Sequence, residues 1–252
     1  MLAPGRSGAE NMARDTALME RAQATGETVF SAYSWACPTL SLGRNQTAKG
    51  RYDLDEIRRH GIDVVRRPTG GRALLHHHEI TYSVTAPITD DESLRNSYER
   101  INRILINALE RLGVSAAKAA NGKRTPQPGD LPCFAAPAEG ELVTSGAKLV
   151  GSAQLRENGA LLQHGSILIE DDQPLIAQLL NEKSAANASP PAATLCGLLG
   201  RSPSIHEVAH ALFDGVLALE DPDALPLEES EIRDAALGHV EHYMNELWTW
   251  RR

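Results

Sequence analysis

The sequence predicts an α+β fold, with a central mixed, largely antiparallel sheet flanked by helices. Short runs of strand type recur along it: TVFSAYSW, IDVV, ITYSV, ELVT, KLVGSAQL and ALLQHGSILI. Asn158-Gly159 marks a tight hairpin between the last two and so makes that pair antiparallel. Helical patterns are interspersed with these strands and hairpins, the arrangement of the α+β class.

Each element has its own signal. A first helix runs through NMARDTALMERA. Asp53 is placed to N-cap a short helix, LDEIRRH, that stops at Gly61. ITYSV alternates cleanly, with Ile80, Tyr82 and Val84 on one face. SYERINRILINALERLG is the clearest helix: Ile101, Ile104, Leu105, Ala108 and Leu112 form one apolar stripe, and Gly113 ends it. From Asn121 to Gly140, four prolines and three glycines leave no periodicity. A structureless stretch of that length is usually functional or disordered. Helices are expected at PLIAQLLN and from Ser204, whose SIHE pattern is a capping box with Glu207. EDPDALPLEESE reads as a linker to a last helix carrying Tyr243, Leu247 and Trp248.

Composition narrows the function classes. The 252 residues suit one large domain or two small ones, and 42% apolar content can build a core without disulfide staples. Cys37, Cys133 and Cys196 are odd in number, widely spaced and outside any CxxC, which argues against a disulfide framework or a zinc site. No run of eighteen apolar residues occurs, so no membrane span is expected. The first twenty residues lack the apolar stretch of a signal peptide, so a cytoplasmic location is expected. A net charge of -8 disfavours nucleic acid as a partner. Between Arg44 and Arg72, however, eight basic residues face four acidic ones, a local excess of four. That stretch is either ordinary solvated charge or a docking patch for an acidic protein.

Three clusters can carry chemistry. In RRPTGGRALLH, Arg66 to His76, a strand runs into a Pro-Thr-Gly-Gly turn and out into another strand. Paired glycines let backbone N–H groups approach a ligand, and three arginines flank them, which suits a carboxylate, a phosphate or a thioester carbonyl. The pattern is neither a Rossmann fingerprint nor a P-loop. In GAKLVGSAQL and LLQHGSIL, Lys148 opens a half-buried strand, where it either snorkels to solvent or reaches into a site. Gly151 and Gly165 interrupt strands, as at close approaches. Cys133 lies between prolines in an irregular loop, fifteen positions before Lys148, and a nearby cation favours the reactive thiolate. The triplet His76 to His78 is not expected to bind metal. In an alternating strand, His76 and His78 share a face without a nearby carboxylate or cysteine set. No GxSxG elbow supports a Ser-His-Asp triad.

Taken together, GAENMARD, YSWACPTLSLGRNQ, RRPTGGRALLHHHEITYSV, the CF of LPCF, KLVGSAQLRENGALLQHGSIL and ELWTWRR resemble the biotin/lipoate protein ligase superfamily, most closely its LipM-type octanoyltransferases. The resemblance covers nearly the whole chain. It implies one catalytic domain over residues 1–252, with a core of about 28–220 and a C-terminal helix, 228–252, packed on it. An acyl tunnel beside the glycine loop, Cys133 as the acyl-carrying nucleophile and Lys148 as the lysine that activates it are further implications. The substrate-binding set it implies is Arg66, Arg67, Gly70, Gly71, Arg72, His76, His77, Gly151, Ser152, Gln154, His164 and Gly165.

The implied donor is octanoyl-acyl carrier protein. The implied acceptor is a lysine of a lipoyl domain or of the glycine-cleavage H protein. No cofactor is expected, because exchange between thioesters needs no ATP, and a monomer is expected. His77 and His164 are the candidates for deprotonating the acceptor lysine. One rival is an ATP-dependent lipoate ligase, but Arg72 stands where related ligases carry a third glycine, and HHHEIT lacks their Asp-x-Gly-Asn sequence. Other rivals are an amidotransferase drawing on H protein, which would use the same cysteine and lysine, and a non-catalytic carrier-binding partner.

Overall fold

The computed structural model describes residues 2–89, 93–119, 133–135, 137–138, 140–182 and 191–251. The chain opens with strand β1 (Leu2–Arg6) and helix α1 (Gly8–Thr25). Ser7 caps α1 in a full capping box with Glu10, satisfying two otherwise orphaned N–H groups. Strands β2 (Val29–Trp35) and β3 (Thr39–Leu42) follow, then α2 (Leu54–Arg59), which Asp53 caps as expected, and β4 (Asp63–Arg66). The glycine loop leads into β5 (Leu74–His76), β6 (Glu79–Pro87), α3 (Leu94–Arg111) and the short β7 (Ala117–Lys118). Residues 133–135 form a single 3-10 turn. The rest of the irregular Asn121–Gly140 stretch lies mostly outside the described residues. Three strands, β8 (Leu142–Thr144), β9 (Ala147–Glu157) and β10 (Ala160–Leu168), precede α4 (Leu195–Leu199), α5 (Ile205–Leu219), α6 (Arg233–Met244) and α7 (Glu246–Thr249).

Among the described residues, seven strands form one sheet in the order β1-β2-β6-β10-β9-β8-β7. β1 and β2 are parallel and every other neighbouring pair is antiparallel, so the sheet is mixed and largely antiparallel as expected. Asn158 and Gly159 both have positive φ, 52° and 78°, the type I′ geometry of a two-residue hairpin. Ile80, Tyr82 and Val84 share one buried cluster with Ile101, Leu105 and Leu109 of α3 and Leu212 of α5. On the opposite face, Met19 and Ala22 of α1 meet Ala160 and Leu162. The sheet therefore lies between two helical layers, and no helix among the described residues is long and apolar enough to cross a membrane.

Several elements depart from the expectation. A second sheet, β4-β3-β5, stands beside the first and packs its own core of Leu40, Leu42 and Leu75 against Ile57 and Ile176. PLIAQLLN forms a 3-10 turn over Gln173–Leu179 instead of an α-helix. Its last carbonyls are drawn into tertiary bonds, with Asp53 N–H donating to Leu179 O at 2.8 Å. Ser204 caps α5, but the Glu207 carboxylate turns to Arg201 instead of closing the box. The last helix breaks at Asn245, whose side chain accepts from Leu247 N–H and restarts the chain as α7. Leu247 itself is 83% exposed.

Candidate active site

The glycine loop leaves β4, crosses beneath the end of β3 and enters β5. Gly71 has φ +98°, and a side chain there would also strike Arg67 Nη2 at 2.7 Å, so the turn requires glycine on two counts. Arg67 braces the loop from below: its guanidinium donates to Ser41 O, Gly70 O and Arg72 O. Arg66 lies deeper, donating to Gly43 O, Gln46 O and Thr249 O, while Trp248 Nε1 donates to Arg66 O at 2.8 Å. The C-terminal segment thereby holds the root of the loop.

Beside the loop is a cavity of about 180 Å³. Cys133, Arg67, Gly71, Arg72 and His76 line it from one side, and Gly151, Ser152, His164 and Gly165 from the seven-stranded sheet. These are nine of the fourteen residues expected at a site, and Met12, Tyr33, Trp35 and Leu74 add an apolar wall. The 3-10 turn of Cys133 is pinned to the loop's exit, with Cys133 N–H donating to Ala73 O at 2.9 Å and Arg72 Nη2 donating to Cys133 O at 3.2 Å.

Lys148 comes up from β9, and its side chain is fully buried. An ammonium has three protons, and all three have acceptors: Cys133 O at 2.9 Å, Cys133 Sγ at 3.3 Å and Glu141 Oε1 at 2.7 Å. Glu141 Oε2 accepts from Ala138 N–H, and the Lys148 ammonium also sits 4.8 Å from the centre of the Phe134 ring. The sequence brings the cysteine and lysine together by a loop-to-strand return. The buried carboxylate that balances the lysine precedes β8 in an unremarkable strand pattern and was not anticipated.

A second polar chain enters the cavity from the opposite helical layer. His164 Nδ1 lies 2.8 Å from Asp15 Oδ2, and its Nε2 lies 2.6 Å from Thr69 Oγ1 of the glycine loop. Tyr33 OH also donates to Asp15 Oδ2. Asp15 is fully buried on the inward face of α1, among Met12, Leu18, Met19 and Ala22. A carboxylate inside an apolar stripe was the available sequence signal. His76 stacks on Trp35 at 3.9 Å and contacts Glu79 Oε1 and Ser41 Oγ. Burial pushes its imidazole below the usual range, with Glu79 opposing the shift.

Other expected residues lie elsewhere. Arg66 is committed to backbone carbonyls behind the loop. Gln154 Nε2 donates across the sheet to Gln163 Oε1, and Gly70 lies at the turn's outer edge, with open space where a side chain would go. His77 faces solvent, 39% exposed. The strand ends at His76, so His77 and His78 stack together on the surface at 3.7 Å while His76 alone turns inward. The basic stretch is also less available than its count suggests. Arg44, Arg58 and Arg59 pair with Glu157, Asp55 and Glu56, and Arg66, Arg67 and Arg72 are buried.

Gly165 lies in β10 where neighbours on both adjoining strands, β9 and β6, leave no room for a side chain. A Cβ there would lie 2.4 Å from Gly151 O and 2.7 Å from Tyr82 Cε1. Gly165→Ala is expected to destabilise the fold by roughly 1–3 kcal/mol, the usual cost of overpacking. Urea unfolding measures it, and an unchanged midpoint would show that the strands can part at no cost.

Residues 7–217 match the family described as the lipoyl protein ligase A/B catalytic domain, and the chain belongs to that family. It is 43% identical over 182 residues to an octanoyltransferase LipM of Carboxydothermus hydrogenoformans, covering 71% of this chain and 67% of that one. With the octanoyltransferase LipM of Kyrpidia tusciae it shares 35% identity over 98% of its own length and 96% of the relative's. The fold also superposes on a bi-partite lipoate protein ligase of Thermoplasma acidophilum, with a TM-score of 0.77, 24% identity and coverage of 99% and 94%.

Proposed function

We propose that the chain is an octanoyltransferase of protein lipoylation that works through a Cys133 thioester. The observation that carries the mechanism is the buried ammonium of Lys148, 3.3 Å from Cys133 Sγ at the wall of the acyl-sized cavity. A full positive charge at that distance stabilises a thiolate and then the oxyanion formed when it attacks. Gly71, at the cavity wall, supplies the backbone N–H we assign to the same oxyanion. The donor is octanoyl-acyl carrier protein. Cys133 attacks its thioester carbonyl, the carrier's thiolate leaves, and octanoyl-Cys133 remains.

In the second half-reaction, an acceptor lysine of a lipoyl domain or H protein attacks octanoyl-Cys133. The amine must lose a proton, and the base we assign is His164, which lines the cavity, over His77, which faces solvent. Asp15 holds Nδ1–H and leaves Nε2 as the acceptor, which the Thr69 hydroxyl fills in the resting site. The proton passes from the amine to Nε2 and on to solvent, while Cys133 departs as the thiolate that Lys148 stabilises, so the enzyme returns to its starting state.

Mass measurement after incubation with octanoyl-acyl carrier protein tests the first step: one octanoyl adduct on the native chain, none on Cys133→Ala. Transfer by Cys133→Ala with ATP and free lipoate would establish a ligase instead. Octanoyl-H protein as donor separates the amidotransferase. For the second step, Asp15→Asn is expected to slow aminolysis by roughly 10²- to 10⁴-fold, the range of a general base. Adduct formation should stay near native, so octanoyl-Cys133 accumulates. If both steps slow equally, His164 serves the architecture and is not the base.

A further inference from the structure

His77, His78 and Asp172 bring two imidazoles and a carboxylate together outside the cavity. Asp172 Oδ2 lies 3.0 Å from His77 Nδ1 and 3.7 Å from His78 Nδ1, and the three ligand atoms all fall within 4.8 Å of one another. The sequence argued against a metal here because it placed His77 on the opposite face and no carboxylate nearby. The structure removes both objections. β5 stops at His76, the two following histidines share one surface, and the segment after β10 delivers the acid. Two ligand atoms held ~2.1 Å from a tetrahedral ion stand about 3.4 Å apart, between the two observed separations. Glu170 Oε2, 3.8 Å from His78 Nδ1, is within reach as a fourth ligand.

We propose that His77, His78 and Asp172 form a binding site for a divalent transition-metal cation of the zinc class. Imidazole nitrogens with one carboxylate oxygen suit zinc, nickel or cobalt over magnesium or calcium, which prefer all-oxygen shells. Among the described residues the ion-pair partners of Asp172 are these two histidines, while its other oxygen accepts from Gln173 Nε2 at 3.3 Å. The ion replaces the proton between His77 Nδ1 and Asp172 Oδ2, and the proton is released to solvent.

Such an ion clamps the β5–β6 turn to the segment behind it. Next along the chain, Gln173 already brackets Leu75, accepting from its N–H at 3.1 Å and donating to its carbonyl at 2.6 Å. The site would therefore stiffen the strand that ends in His76 at the cavity wall, without contacting the reacting atoms.

Titration calorimetry of the EDTA-treated full chain with zinc chloride tests the site. Cys133→Ser serves as background so that the reactive thiol cannot supply the ligand. One ion per chain is expected. His77→Ala, His78→Ala and Asp172→Asn should each weaken binding at least about tenfold, the scale on which outer-shell partners alone act. His60→Ala, an exposed histidine elsewhere, should leave it unchanged. Cobalt should give a d–d spectrum without thiolate charge transfer, and bound zinc should raise Tm only while the three ligands are intact. No binding up to millimolar zinc, equal loss with His60→Ala, or a thiolate band with cobalt would each overturn the site.

Discussion

Cys133→Ala is expected to form no acyl adduct and to lose octanoyl transfer by at least about 10³-fold, as when a covalent nucleophile is removed from a unit of coupled groups. The substitution is conservative toward the fold. Most of the anchoring contacts come from the backbone of Cys133: its N–H donates to Ala73 O and its carbonyl accepts from Lys148 and Arg72, and the sulfur adds one bond from Lys148 Nζ. Melting temperature should therefore stay close to native while chemistry disappears. Substantial residual transfer from octanoyl-acyl carrier protein would mean that the acceptor lysine attacks the donor directly, with no enzyme-bound intermediate. Cys133→Ser adds a sharper reading, because a hydroxyl beside Lys148 can form an ester that the acceptor amine releases slowly.

Removing Lys148 has two separable effects. Lys148→Met leaves the buried Glu141 carboxylate without its counter-charge and is expected to cost about 3–5 kcal/mol, as for other broken buried pairs. Adduct formation should fall with it, since Cys133 Sγ loses the only ammonium hydrogen-bonded to it among the described residues. The companion variant Glu141→Gln, which strands the lysine charge instead, should destabilise on the same scale. Combining the two restores a neutral, packed pair and should recover most of the lost stability. Activity should not return, because the cation beside the sulfur is still missing. Thermal melts and adduct yields across the four proteins resolve the two roles. If the double variant regains transfer, the lysine acts only by holding the turn in shape.

The parts of this site that were legible in the sequence are those where one residue breaks a local pattern. A lysine opening an apolar strand, a cysteine between prolines and a glycine pair among arginines each stand out without knowledge of the fold. The helices with a single apolar stripe, such as α3, were equally clear. Illegible features depended on long-range pairing. β3 is four residues long, and nothing in TLSL announces that it leaves the main sheet to pair with β4 and β5. Glu141 looks like an ordinary surface acid until the fold buries it against Lys148, and Asp15, although it interrupts an apolar stripe, gives no hint that His164 is its partner. The triplet of histidines misled because alternation was assumed to continue past His76, whereas the strand ends there.

The bonds at the root of the glycine loop also join segments that are made far apart in time. Arg66 is held by Gly43 and Gln46, made shortly before it, but also by Thr249, 183 positions later, and its carbonyl accepts from Trp248. On a ribosome releasing the chain from its N-terminus, both sheets can assemble before those last contacts exist. The loop beside Cys133 reaches its final anchorage only when residues 248–249 have emerged. A chain stopped before residue 248 is therefore expected to fold its sheets with the root of the glycine loop short of these two bonds.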